Sequence, residues 1–142
     1  MISKTGRAMA AGALFAILLG GAVALPPTLV AQDAAQSDST ASRLVARGKR
    51  LYVFCQACHA TEIVSGSKIG PNLAGIFNRQ VAVLEDSIYS DALKAQDFVW
   101  NEEKLDLWLQ RPFDLVPDTS MNFAGLPQAR NRAALIAYLK TL

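Results

Sequence analysis

Soft metal-binding side chains are scarce in this sequence. Its 142 residues include two cysteines and one histidine, short of the four ligands that a structural zinc site takes, so zinc would have to recruit a carboxylate. Neither sign of charge dominates, with 14 basic and 12 acidic residues. No basic stripe runs along any segment, which excludes a nucleic-acid partner. No stretch alternates polar with apolar residues as a half-buried strand does, so the sequence predicts an all-α chain. The length allows one domain, and no internal repeat divides it. Methionine is nearly as rare: outside the first nine residues the chain has only Met121.

What is present is concentrated. Both cysteines and the histidine fall within five positions, Cys55-Gln56-Ala57-Cys58-His59. In such a segment each thiol can add across a vinyl group of a porphyrin while the adjacent imidazole binds the iron. A redox disulfide needs a strand-to-helix setting inside a mixed sheet, which this chain does not offer. A disulfide between residues three apart in a helix is strained. These comparisons favour one haem c attached through Cys55 and Cys58, with His59 on the iron. Elimination then makes Met121 the second axial ligand. A lone methionine also serves as core filler, but "VPDTSMNFAG" reads as a turn-rich loop able to aim a thioether. An iron held by His59 and Met121 has no open place for a substrate and moves electrons.

The N-terminus has its own logic. Lys4 and Arg7 precede an uncharged window from Ala8 to Gln32, and Ala22-Val23-Ala24 supplies an A-x-A cleavage site. This reads as a leader for export to the bacterial periplasm. The competing reading is an uncleaved membrane anchor through residues 8–25, since the window is long enough for about 30 Å of hydrocarbon. Loss of residues 1–24 leaves twelve basic and twelve acidic residues.

The expected organisation is a leader or anchor over 1–24, a flexible linker over 25–40 rich in Pro, Ala, Gln, Ser and Asp, and a folded domain over 41–142. A first helix is expected from about Ser39, with Asp38, Ser39 or Thr40 as its N-cap. The Gly-containing stretch Ser65–Gly70 loops before Pro71, and a short turn follows at Leu73–Phe77. Further helices are expected over Asp86–Ala95 and Asn101–Gln110, the latter closed by Pro112. Residues 112–126 should be irregular, and a last helix should run from Ala129 to Leu142 with Pro127 in its first turn. About 100 folded residues build only a modest core, so an apolar cofactor would stabilise them.

Taken in order, "GKRLYVFCQACH", "GPNLAGIFNR", "YSDALK", "VWNEEKLDLWLQRP", "VPDTSMNFAG" and "LIAYLK" make residues 43–142 resemble the class I cytochromes c, of the mitochondrial and bacterial c2 type. The resemblance implies an all-α fold of four to five helices around a covalently bound haem, with the first and last helices crossing at Gly48 and an aromatic pair, Tyr52 and Tyr138, at the crossing. It implies that the Pro71 carbonyl accepts the His59 Nδ1 proton, and that Arg79, Tyr89, Trp100 and Thr119 are haem-propionate partners. Trp108 stands where many members carry a tyrosine bonded to the methionine sulfur, and an indole can donate but not accept. Phe54, Phe113, Ser120 and Gln128 stand where mitochondrial members ring the haem edge with lysines, which removes a basis for electrostatic steering. The implied function is that of a single-electron carrier. Its expected partners are a quinol-oxidising donor and an oxidase or reaction-centre acceptor of a respiratory or photosynthetic chain. The alternatives are an anchored subunit of a larger redox complex, the electron-accepting partner of a periplasmic dehydrogenase, and a peroxidase, which would need an open iron.

Overall fold

A computed structural model describes residues 27–62 and 67–142. The leader or anchor over 1–24 and the Ser65-Gly66 part of the expected loop lie outside the described residues. Five α-helices appear among the described residues: α1 Pro27–Leu51, α2 Asp91–Lys94, α3 Glu102–Gln110, α4 Pro112–Leu115 and α5 Ala129–Leu139, with a 3₁₀ turn at Tyr52–Phe54. The single β feature described is an isolated antiparallel bridge between Gln80 and Val99. The all-α reading therefore holds.

The helix ends follow local chemistry. Asn101 caps α3 by accepting from the Lys104 N–H at 2.8 Å, with Glu102 and Glu103 in the first turn, where the helix dipole favours carboxylates. Pro112 stops α3 and also begins α4, because a proline at N1 gives up no hydrogen bond. Residues 112–126 are thus irregular only beyond Leu115.

Four expectations need correction. The flexible linker over 25–40 is helical from Pro27 onward. Ser39 and Thr40, expected as caps, sit inside α1 and donate back to the Gln36 carbonyl, each at 2.9 Å, which satisfies their hydroxyls without ending the helix. The helix expected over Asp86–Ala95 shrinks to α2, because Ser90 caps it at Leu93 N and Asp86 is engaged elsewhere, accepting from Ser67. Finally, α5 ends at Leu139 and Pro127 precedes its N-cap, Gln128.

The core forms where α1 crosses α5. A Cβ on Gly48 would run into the Ala134 carbonyl and the Tyr138 side chain, so glycine is what lets the two backbones touch. One turn on, the Tyr52 and Tyr138 rings meet edge to face at 5.5 Å. Leu135, Ile136 and Leu139 of α5 and Leu105 and Leu109 of α3 are buried against this crossing. Arg132, also buried, ties α5 to α3 through a two-pronged pair with Asp106 at 2.8 and 3.1 Å. It also donates to the Leu126 and Pro127 carbonyls. The bonds to Leu126 and Pro127 hold the C-terminal end of the long loop that carries Met121.

Candidate functional site

The ten residues singled out from the sequence, Cys55, Cys58, His59, Pro71, Arg79, Tyr89, Trp100, Trp108, Thr119 and Met121, all line one cavity of about 270 Å³. Its other walls are mainly apolar, with Leu73, Ile76, Leu105, Leu109, Leu135 and Leu139 among them. The cysteines follow directly on the end of α1 and its 3₁₀ turn. Chain reversal there is held by Cys58 N–H and His59 N–H donating to the Cys55 carbonyl at 3.0 and 2.9 Å.

His59 is oriented by a contact that also fixes its tautomer. Its Nδ1 lies 2.7 Å from the Pro71 carbonyl, and a carbonyl can only accept, so Nδ1 carries the proton and Nε2 keeps its lone pair. Burial lowers the His59 pKa, the Pro71 bond opposes that shift, and the charge of Lys68 lowers it further. The ring is therefore neutral at pH 7, as a metal ligand must be. The Cys55 thiol is pushed up to about 11 by burial and then by Cys58, so it stands as S–H. Cys55 and Cys58 would hold a haem through thioether bonds to its vinyl groups.

Sequence reasoning missed Gly70. A Cβ there would lie 2.6 Å from His59 Cε1 and 2.9 Å from Nδ1. Only glycine lets the Pro71 carbonyl come within bonding distance of the ring. A glycine ahead of a proline was visible in the sequence, but nothing there showed that the imidazole lies against it.

The remaining polar residues differ in how they are held. Arg79 donates to the Asn72 and Ala74 carbonyls at 2.8 and 3.0 Å. Burial draws its guanidinium below the ordinary value, partly offset by Tyr89. Thr119 is buried, and its hydroxyl accepts from the Met121 N–H at 3.5 Å. The Trp100 and Trp108 rings pack edge to face at 5.2 Å. Neither indole donates to a protein acceptor among the described residues. Both tryptophans line the cavity.

Haem c fits this donor set. Two free thiols stand at one edge, a neutral imidazole with an unshared nitrogen lines the wall, and a thioether lines the same space. The walls are apolar, and Arg79, Tyr89 and the indoles are available for anionic substituents.

Comparison with known proteins agrees with the geometry. The family described as "Cytochrome c" matches residues 45–142. The cytochrome c-type cyt cy of Rhodobacter capsulatus is 39% identical over 117 residues, covering 82% of this chain, and the chain spans 56% of that relative's length. The cytochrome c of Gibberella zeae is 39% identical over 97 residues, 68% of this chain and 92% of the relative. Cytochrome c2 of Afifella marina is 39% identical over 101 residues, 69% of this chain and 82% of the relative. Among solved structures, cytochrome cH from Methylobacterium extorquens superposes with a TM-score of 0.65 at 33% identity, covering 69% of this chain and 98% of that one. The chain belongs to the cytochrome c family of electron carriers, not enzymes, and holds one haem c through Cys55 and Cys58.

Proposed function

We propose that the iron is held by His59 Nε2 and the Met121 sulfur, and that the protein carries single electrons between redox complexes of a respiratory or photosynthetic chain in the bacterial periplasm. The observation that carries this reading is that His59, with its Nδ1 proton committed to Pro71, and Met121 line the same cavity. Haem c supplies the one-electron chemistry of iron when bound. The chain's own residues orient the imidazole, exclude water with apolar walls and offer Arg79, Tyr89 and Trp100 to the propionates. Trp108 and Thr119 border the thioether side.

The donor is read as a quinol-oxidising complex and the acceptor as an oxidase or reaction centre, met through an uncharged face. Phe54 is 63% exposed and Phe113 44% exposed, which supports a docking surface that is apolar where mitochondrial relatives carry lysine. Met121→Ala tests the ligand assignment. The variant should lose the ferric absorption band due to thioether ligation, acquire binding of cyanide or azide and show a lower potential. An unchanged ferric spectrum would exclude Met121 and point to another donor, such as Lys68.

A further inference from the structure

Three successive carbonyls flank the proposed iron ligand, and each has a donor. Gly70 N–H donates to Cys58 O at 2.9 Å, and Leu73 N–H donates to Ala60 O at 2.8 Å. Both come from the loop that also offers the Pro71 carbonyl to the imidazole. The middle carbonyl, that of His59 itself, receives no backbone N–H among the described residues. Its donor is the Tyr52 hydroxyl at 3.0 Å, in a buried setting. Tyr52 is 7% exposed and sits where α1 ends, its ring edge-on to Tyr138 of α5. A buried carbonyl left unpaired is costly, so a chain without this hydroxyl would relax by turning the 59–60 peptide. That peptide carries the imidazole between two fixed neighbours, and turning it would strain the Nδ1–H bond to Pro71.

We infer that Tyr52 is a positioning residue for His59: its hydroxyl sets the orientation of the ligand's peptide and, through it, the strength of the imidazole's bond to Pro71. The inference rests on His59 being the axial ligand. It assigns to the helix crossing a polar role as well as a packing one, because the same ring that closes α1 onto α5 holds the ligand.

The test uses the haem-loaded full chain, with Tyr52→Phe and Tyr138→Phe as a pair. Each keeps an aromatic ring at the crossing, and only the first removes the donor to His59. Tyr52→Phe should speed solvent exchange of the His59 Nδ1 proton about tenfold, the ratio that a loss of about 1.4 kcal/mol gives. It should also raise the reduction potential, since a weaker bond to Pro71 makes the imidazole a poorer donor to ferric iron. Tyr138→Phe should change neither. A lower unfolding midpoint in Tyr52→Phe with exchange and potential unmoved would overturn the inference, as would equal changes in both variants. Should Tyr52→Phe fail to take up haem, 3-fluorotyrosine placed at position 52, a stronger donor, must lower the potential; no movement there also overturns it. Failure of the ligand assignment is distinguishable, because the unmodified protein would then lack a low-spin spectrum with histidine on the iron.

Discussion

On the His59 side of the cavity, hydrogen bonds reach the ligand segment from two other parts of the chain. Gly70, Pro71 and Leu73 bind it from one loop, and Tyr52 binds it from the end of α1. On the Met121 side, the bonds described between Pro117 and Gly125 stay within the loop itself: Thr119 N–H to Val116 O at 3.3 Å, Met121 N–H to the Thr119 hydroxyl at 3.5 Å, and Phe123 N–H to Met121 O at 3.1 Å. That loop is fixed at its ends instead. Val116 is fully buried, Leu126 N–H donates to Leu109 O at 2.7 Å, and a Cβ on Gly125 would meet the Gln110 carbonyl. His59 is clamped by polar contacts, and Met121 is suspended between two packed anchors. A span with few external bonds opens locally at lower cost, so of the two proposed ligands Met121 should yield first.

Breaking the clamp should have the largest effect. Gly70→Ala puts a methyl group into the imidazole ring, and overpacking against a backbone-fixed neighbour costs about 3 kcal/mol. Denaturant unfolding of the haem-loaded variant measures that loss. A change below about 0.5 kcal/mol, the size of an ordinary surface substitution, would show that the His59 side yields as readily as the other.

A smaller effect of opposite sign is expected in the cavity wall. Ala82 lines the cavity with φ of +52°, a left-handed conformation that costs an L-residue about 1–2 kcal/mol. Glycine adopts it freely but loses about 0.5–1 kcal/mol more in chain entropy on folding. Ala82→Gly should therefore stabilise the fold by about 0.5–1 kcal/mol, read as a higher unfolding midpoint. A fall in the midpoint would mean that the Ala82 methyl group is worth more than the strain it imposes.

The smallest effect concerns salt. Phe54, Ile69 and Ser120, which line the cavity, are exposed, as is Phe113 in α4. Steering by charge falls steeply with ionic strength, because charges more than about 8 Å apart are screened near 0.15 M. Electron transfer to a membrane-bound acceptor should change by less than about twofold between low and physiological salt, whereas several phosphate- or carboxylate-facing lysines would give a far steeper fall. A steep decline in stopped-flow rates would require a basic docking patch, for which Lys49, Lys68 and Lys94 are the candidates.

The sequence makes the chemistry of the site easier to read than its support. Cys55, Cys58 and His59 are neighbours in the chain, so their joint role is local information, and Met121 follows by elimination. Helix α3 is legible for the same reason: Asn101 at its start and Pro112 at its end act on adjacent residues. The start of α1 is not, because Ser39 and Thr40 could cap a helix or back-bond within one, and only the fold decides. Asp86 looked like the first turn of a helix until Ser67, nineteen positions away, took its carboxylate. Gly70 and the Tyr52 hydroxyl matter through contacts that exist only once the 70–73 loop and α1 have closed on His59. The resemblance implies Arg79 as a propionate partner, but its bonds to two loop carbonyls could not be read, since carbonyls carry no sequence signature.

The unequal hold on the two ligands is tested most directly by following the ferric, haem-loaded protein through increasing denaturant while recording two signals: the absorption band of thioether ligation and the solvent protection of the His59 Nδ1 proton. The band should disappear at a lower denaturant concentration than the protection, giving an interval in which His59 remains clamped and Met121 has left the iron. Simultaneous loss of both signals, or loss of protection first, would contradict the account.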